Sequence, residues 1–376
     1  MLSTTCRFAV VALLLGAGVP SRAGAQTDVR EASRLARQGV SDLDKRQFPA
    51  ALRAFASADA ITPGDASVSV GAGVAAFMMG QHDAAQDWFE RALQRKPDSL
   101  TASEWLGELH YRADRLDMAI AVYEAAVERS PGLAAAAALS RRLDTWRREA
   151  AIQGAFGEIR GRVAAIRFHE SRDGALARVV LERVESEYAR IAAALGTEPS
   201  QPASVVLYTR EEFEAITDLP RWTVAAYDGR IRLPISGAQI ADAEEAAELD
   251  RVLAHELVHA VVATLAGSSA PVWLNEGLAT VLEPEGSLHA ETPLAREGAR
   301  PSLDHLHASF VRLNTADAEV AYALSARAVR RMTELAGTPA IVALLQDLGR
   351  GATFERAFRD RFSTRYAAFR AGLDRD

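Results

Sequence analysis

Cys6 is the only cysteine in the chain, and it lies ahead of the first apolar run rather than at a small-residue processing site. Without a second thiol there can be no disulfide. With none at all beyond residue 6, cysteine nucleophiles and thiolate metal ligands are excluded, as is a lipoprotein anchor. Long hydrophobic runs are also scarce. No segment after the N-terminus approaches ~18 uninterrupted apolar residues, the least that a membrane-spanning helix needs. An excess of positive charge is missing as well. The formal charge is −7, and no basic stripe of the kind that holds nucleic acid is present in the sequence.

What the N-terminus does have is Arg7, then an apolar run, then Ala23-Gly24-Ala25. This is the pattern of a secretory signal peptide over residues 1–25, cut before Gln26, with a run too short to span a membrane. It predicts a periplasmic or secreted protein without a membrane anchor. Its removal takes away Arg7 and Arg22 and no acid, leaving the rest more acidic still. The remaining length suits two or more domains, each able to bury a core.

The next part of the chain repeats. Gly39, Gly73 and Gly107 stand 34 residues apart, and four further columns hold the same register: Ala51, Ala85 and Ala119; Phe55, Phe89 and Tyr123; Ala58, Ala92 and Ala126; Pro63, Pro97 and Pro131. Internal periods of this size mark stacked helical hairpins. Small residues let paired helices approach, the aromatic wedges between repeats, and proline ends the second helix. The pattern resembles tetratricopeptide repeats, here 32–65, 66–99 and 100–133. Residues 132–152 read as an amphipathic capping helix, which sets a repeat domain over 26–153 and a second domain over 154–376. Such repeats carry no chemistry themselves and imply a protein partner or a spacer. His82 and His110 are read as surface residues.

From about residue 156 the pattern changes. GRVAAIRFHE reads as a strand, DGALARVVLERVESEYARIAAALG as a long amphipathic helix ended by Gly196, ASVVLYT as a buried strand, and REEFEAIT as a helical turn. In RWTVAAYDGRIRLP, Asp228-Gly229 suits a hairpin turn, and Pro234 suits an edge strand. Five or so helices follow, with an irregular stretch from about Glu283 to Pro301.

Within RVLAHELVHAVVATLAG, residues 251–267, two histidines and a glutamate lie in one of the most apolar helical stretches. Buried without partners they would cost a few kcal/mol each. His255 and His259, four apart, point the same way about 6 Å apart and can reach one metal ion. Glu256, turned about 100° from His255, lies beside that ion. This is the H-E-x-x-H arrangement, in which the histidines bind zinc and the glutamate works on a zinc-bound water. A hydrolytic zinc takes a third protein ligand, and Glu276 in PVWLNEGLATVLE offers one, with 16 intervening residues to turn and return alongside.

The pairing of His255-Glu256-Leu257-Val258-His259 with Trp273-Leu274-Asn275-Glu276-Gly277 resembles the gluzincin metallopeptidases, the peptidase MA-like domains related to thermolysin and to zinc aminopeptidases. The resemblance spans roughly residues 156–376. It implies an α+β chain: an N-terminal all-α tetratricopeptide-repeat solenoid, then a metallopeptidase domain built of a small sheet plus a helical bundle. It further implies one Zn2+ per chain on His255, His259 and Glu276, Glu256 as general base, and hydrolysis of a peptide or protein substrate that the repeats recruit.

Tyr322 corresponds to a tyrosine that aminopeptidase-like relatives carry, and is the candidate oxyanion donor; His305 and His307 compete for that role. The chain departs from the thermolysin pattern at one position. One turn after the third ligand, where an acid supports a ligand histidine in those relatives, stands Thr280. The Thr280 hydroxyl, Asp250 or a backbone carbonyl would have to substitute. The other reading of the chain is a non-catalytic repeat scaffold whose peptidase-like domain is structural. Retention of Glu256 separates the two, since a structural metal has no use for a base.

Overall fold

A computed structural model of the chain describes residues 23–197, 202–217, 225–237, 240, 242–284, 303, 306, 310, 313 and 315–373. The chain divides into two compact units, the first ending at Ala150 and the second beginning at Ala151.

The first unit is helical throughout its described residues: α1 (Ala23–Asp44), α2 (Phe48–Ile61), α3 (Ala66–Met78), α4 (His82–Arg95), α5 (Leu100–Arg112), α6 (Leu116–Arg129) and α7 (Ala134–Gln153). The repeat columns explain the pairing. A Cβ added at Gly39 would lie 2.8 Å from the Phe55 ring and one at Gly73 2.5 Å from Phe89. Gly107 faces Tyr123 more closely still. Each glycine thus lets the first helix of a hairpin rest on the aromatic ring of the second. Phe55 also presses on Gly71 of the following repeat, so the ring does wedge between repeats. Ala51, Ala85 and Ala119 are wholly buried, and Pro63, Pro97 and Pro131 each follow a helix end by two residues. α3, apolar on every side, is buried from Val68 to Phe77.

α7 closes the unit. Trp146 is fully buried, its ring 4.8 Å from that of Tyr111 and 4.4 Å from that of Tyr123, and the Tyr111 hydroxyl donates to buried Glu149 at 2.7 Å. His82 is exposed as the sequence suggests, but His110 is not: it is 2 % exposed. It lies on the face of α5 turned into the stack, where its Nδ1 accepts a hydrogen bond from Arg115 at 3.1 Å. Periodicity alone did not reveal this, because the polar ring replaces an apolar residue on an otherwise buried face.

The second unit begins with β1 (Phe156–Arg160) and β2 (Ala164–His169), then α8 (Gly174–Leu195), β3 (Ala203–Tyr208), α9 (Arg210–Ile216), β4 (Ala226–Tyr227) and β5 (Ile231–Pro234). The sheet runs β1-β2-β3-β5-β4. β2, β3 and β5 are parallel, with α8 as the crossover between the first two, and the outer pairs are antiparallel. β1, half-exposed along its length, carries no sharp alternation and was not anticipated from sequence. α9 is fixed by a capping box between Thr209 and Glu212.

β5 is not an edge. It lies between β3 and the two-residue β4, joined to β4 through Gly229 at φ +107°. Pro234 is accommodated because Ile235 N–H serves Tyr208 O on the β3 side, while Pro234 stands beyond the end of β4, where no strand among the described residues needs its missing donor.

Ile166, Val205, Ile231 and Leu233 form one face of the sheet, packed with Val180, Val184 and Ile191 of α8 and with Leu253, Leu257 and Val258 of α10 (Ala243–Ala266). α11 (Val272–Val281), α12 (Thr315–Gly349), α13 (Phe354–Phe362) and α14 (Tyr366–Leu373) follow. α12 is two helices merged across a kink at Gly337, where φ is +76°. Among the described residues no helix is long and apolar enough to cross a membrane.

Candidate metal centre

α10 starts where the Asp242 side chain accepts from the N–H groups of Glu244 and Glu245, at 2.9 and 3.1 Å. It ends at Gly267, φ +56°. Between them Val252–Ala254, Leu257–His259 and Val261–Val262 are buried, so the helix is held along the stretch that carries His255, Glu256 and His259. The chain turns through Gly267–Pro271 and re-enters as α11. Gly277 is required there, since a Cβ would collide with the backbone carbonyl of Ser325 on α12. That contact lets α11 lie tightly against α12 and places its buried Glu276 opposite α10.

Three side chains from two helices converge. His255 Nε2 is 3.5 Å and His259 Nε2 3.6 Å from Glu276 Oε2, and one ligand atom from each of the three lies within 4.8 Å of the others. Ligands ~2.0–2.1 Å from a zinc at tetrahedral angles would be about 3.3–3.4 Å apart, close to the two separations of Glu276 from the imidazoles. Glu276 Oε2 and His259 Nδ1 are buried without a hydrogen-bond partner among the described residues. Such an orphaned carboxylate oxygen between two imidazole nitrogens is what a cation would satisfy. Two nitrogens and one carboxylate suit zinc.

The electrostatics agree. Burial alone would disfavour a charged His255, but the Glu276 carboxylate 3.5 Å from its Nε2 and the hydrogen bond to Glu283, with the charge of Glu256, raise its pKa well above the usual value. Burial works against ionised Glu276 too, yet His259 and His255 hold its carboxyl below the usual range. The acids thus draw positive charge to the imidazoles, whether a proton or a metal ion supplies it. Glu256 is half-buried and has no hydrogen bond or ion pair to any described residue other than its electrostatic pull on His255 and Tyr322.

Tyr322 of α12 enters this cluster. Its ring centroid is 6.3 Å from that of His255 and 5.3 Å from that of Phe310, which meets it edge-on. Burial, then the charges of Glu276, Glu256 and Glu283, push its hydroxyl pKa upward, so it remains a donor at all ordinary pH. His305 and His307 lie outside the described residues.

Neither sequence candidate for the support of His255 takes that role. The Thr280 hydroxyl donates to the Glu276 backbone carbonyl at 2.9 Å, a bond within its own helix, and Asp250 pairs with Arg183 of α8 at 2.6 Å. Support comes from Glu283, just past the end of α11, whose Oε1 accepts from His255 Nδ1 at 2.9 Å. A residue seven after Glu276 would share its face if the helix ran on, and Glu283, just beyond the last turn, still comes back to His255. That spacing was the available signal, masked because Glu283 reads as the start of the irregular stretch.

Comparison with known proteins reaches the first unit. Residues 36–99 and 70–134 match the tetratricopeptide repeat family, in two passes that start one period apart. The N-terminal unit therefore carries tetratricopeptide repeats. Similar solved structures include the tetratricopeptide domain of Arabidopsis OM64, 15% identical with a TM-score of 0.29, covering 31% of this chain and 97% of that one. Another is the first tetratricopeptide domain of Spaghetti (RPAP3) bound to the HSP90 peptide SRMEEVD, 16% identical with a TM-score of 0.31, covering 33% and 98%. No curated protein matches the chain.

Proposed function

We propose that the chain is a periplasmic or secreted zinc metallopeptidase of gluzincin type, whose tetratricopeptide repeats bind its protein substrate or a partner. The single observation that carries the catalytic half is the orphaned Glu276 oxygen set between His255 Nε2 and His259 Nε2, with the half-buried carboxylate of Glu256 next to His255 in the chain.

His255, His259 and Glu276 would hold the zinc, which when bound polarises both a water molecule and a substrate carbonyl. Glu256 takes the proton from the attacking water and delivers it to the leaving amine. Tyr322 donates its hydroxyl to the oxygen on which negative charge develops.

The second reading, a repeat-based binding scaffold with a structural C-terminal unit, is favoured by the family match, which reaches the repeats alone. Repeats of this kind bind protein segments without performing chemistry. Metal analysis and cleavage of a peptide library by the purified chain decide between the two. About one zinc per chain and cleavage support the peptidase; zinc without cleavage leaves the scaffold, and no zinc removes the centre altogether.

A further inference from the structure

Glu283 and Arg251 form a feature that neither the ligand set nor the base requires. Arg251 lies one turn before His255 on α10. Its Nη1 reaches Glu283 Oε1 at 3.3 Å, the same oxygen that His255 Nδ1 meets at 2.9 Å, and its other end is held by Glu248 through Nε at 2.7 Å. The Glu283 side chain is 1% exposed and that of Arg251 20%. A buried carboxylate is therefore shared by a guanidinium and an imidazole on successive turns of one helix.

We propose that Glu283, clamped by Arg251, is a positioning residue that fixes the rotation of His255 and leaves its Nε2 facing Glu276 and His259. The inference rests on the metal-binding reading of those three residues. An ionised carboxylate can only accept, so the proton of the shared contact is on Nδ1 and the remaining lone pair is on Nε2. The geometry agrees, since Nε2 is the atom 3.5 Å from Glu276 Oε2. His259 has no such support among the described residues, its Nδ1 being without a partner. The two histidines are thus held unequally.

Arg251 does more than neutralise. Glu256, Glu276 and Glu283 put three carboxylates around the two imidazoles, and the guanidinium, itself shared with Glu248, offsets part of the charge of Glu283. The clamp also reaches from α10 to the end of α11. It ties the helix bearing the histidines to the helix bearing the third ligand at a point outside the ligand set. Arg190 of α8 fastens the same corner, donating to the Leu282 carbonyl at 2.6 Å.

The test is zinc affinity by chelator competition on the full chain, with the visible spectrum of the cobalt-substituted protein and the unfolding midpoint of the metal-free protein measured on the same samples. Glu283→Ala is expected to weaken zinc about 10- to 100-fold and to alter the cobalt bands. Glu283→Gln, which can still accept from Nδ1, is expected to recover much of that affinity, and Arg251→Gln to lose a smaller part than Glu283→Ala. If Glu283→Ala does not fold, the Gln and Arg251 variants carry the test, each expected to show altered cobalt bands. Zinc affinity and cobalt spectrum unchanged from wild type in the folded variants would overturn the inference and leave the metal centre standing. A wild-type chain that binds no zinc would overturn the metal centre, and the inference with it.

Discussion

Glu149 in the repeat unit and Glu276 in the C-terminal unit are both buried glutamates, 0% and 4% exposed, and their surroundings differ. Glu149 receives the Tyr111 hydroxyl at 2.7 Å beneath the stacked Trp146 ring, and its contacts are those of a fold element. Glu276 has two imidazole nitrogens at 3.5 and 3.6 Å and an oxygen with no partner among the described residues. A polar group that is buried and satisfied strengthens the fold, whereas one that is buried and left open weakens it unless something else arrives. The repeats spend their polar burial on packing: Arg95, for instance, joins Asp59 at 2.6 Å and Ser69 at 2.5 Å within one unit. The C-terminal unit concentrates its own in one place.

The largest effect that would test this contrast comes from Glu256. Glu256→Gln should leave zinc content and unfolding midpoint unchanged while peptide hydrolysis falls ~10²- to 10⁴-fold, since an amide cannot accept the proton. Turnover at the wild-type rate would mean that the C-terminal unit differs from the repeats in charge but not in chemistry. Next is Tyr322→Phe, which removes one donor and keeps the ring against Phe310. A kcat loss of about 10² to 10³ with KM and zinc little changed is expected; a drop in stability with turnover preserved would move Tyr322 to the structural side of the comparison.

The two glutamates themselves give a paired experiment of intermediate size. Glu149→Ala should cost on the order of 1–3 kcal/mol by stranding the Tyr111 hydroxyl, without effect on cleavage of a short peptide. Glu276→Leu, close in volume, removes a carboxylate whose ionised form the two imidazoles favour, and should cost the metal-free chain stability as well. Its stabilisation by added zinc should vanish. Zinc stabilisation that persisted in Glu276→Leu, or that was lost in Glu149→Ala, would erase the distinction.

The smallest expected effect concerns His110. Burial, then the charge of Arg115, lowers its pKa in the folded chain. Below the ordinary histidine pKa of about 6.5 the unfolded chain binds a proton that the folded one resists. Stability is therefore full above that value and declines as the pH falls from it toward the lowered folded pKa. Thermal melts at several pH values should show this slope in the wild type and a shallower one in His110→Gln. Identical slopes would return His110 to the surface role that its sequence context suggested.

Much of this was legible before any coordinates. Five columns at a fixed period located three helical hairpins, because glycine and ring contacts recur wherever the same two helices meet. The spacing of His255 and His259 anticipated that the two imidazoles share a side of α10, because a helix turns residues four apart to one side, and Glu276 does meet them there. The parts that stayed hidden depend on neighbours distant in the chain. β1 shows no strong alternation because it is only half covered. Pro234 signalled an edge, but whether a strand lies beside it is decided by where β4 stops. Glu283 could be recognised only if α11 was known to keep its helical face to the end, and Arg251 only once Glu283 was in place.

The contact of Gly277 with the Ser325 carbonyl has a bearing on how this centre could vary. Glu276 sits next to that contact on α11 and Tyr322 one turn before it on α12, so the separation of these two side chains is gauged by main chain against main chain. Side chains lining the surroundings can then be exchanged while that gauge stays constant. Gly277 has no such latitude: any side chain there would wedge the two helices apart and shift Glu276 and Tyr322 in a single step.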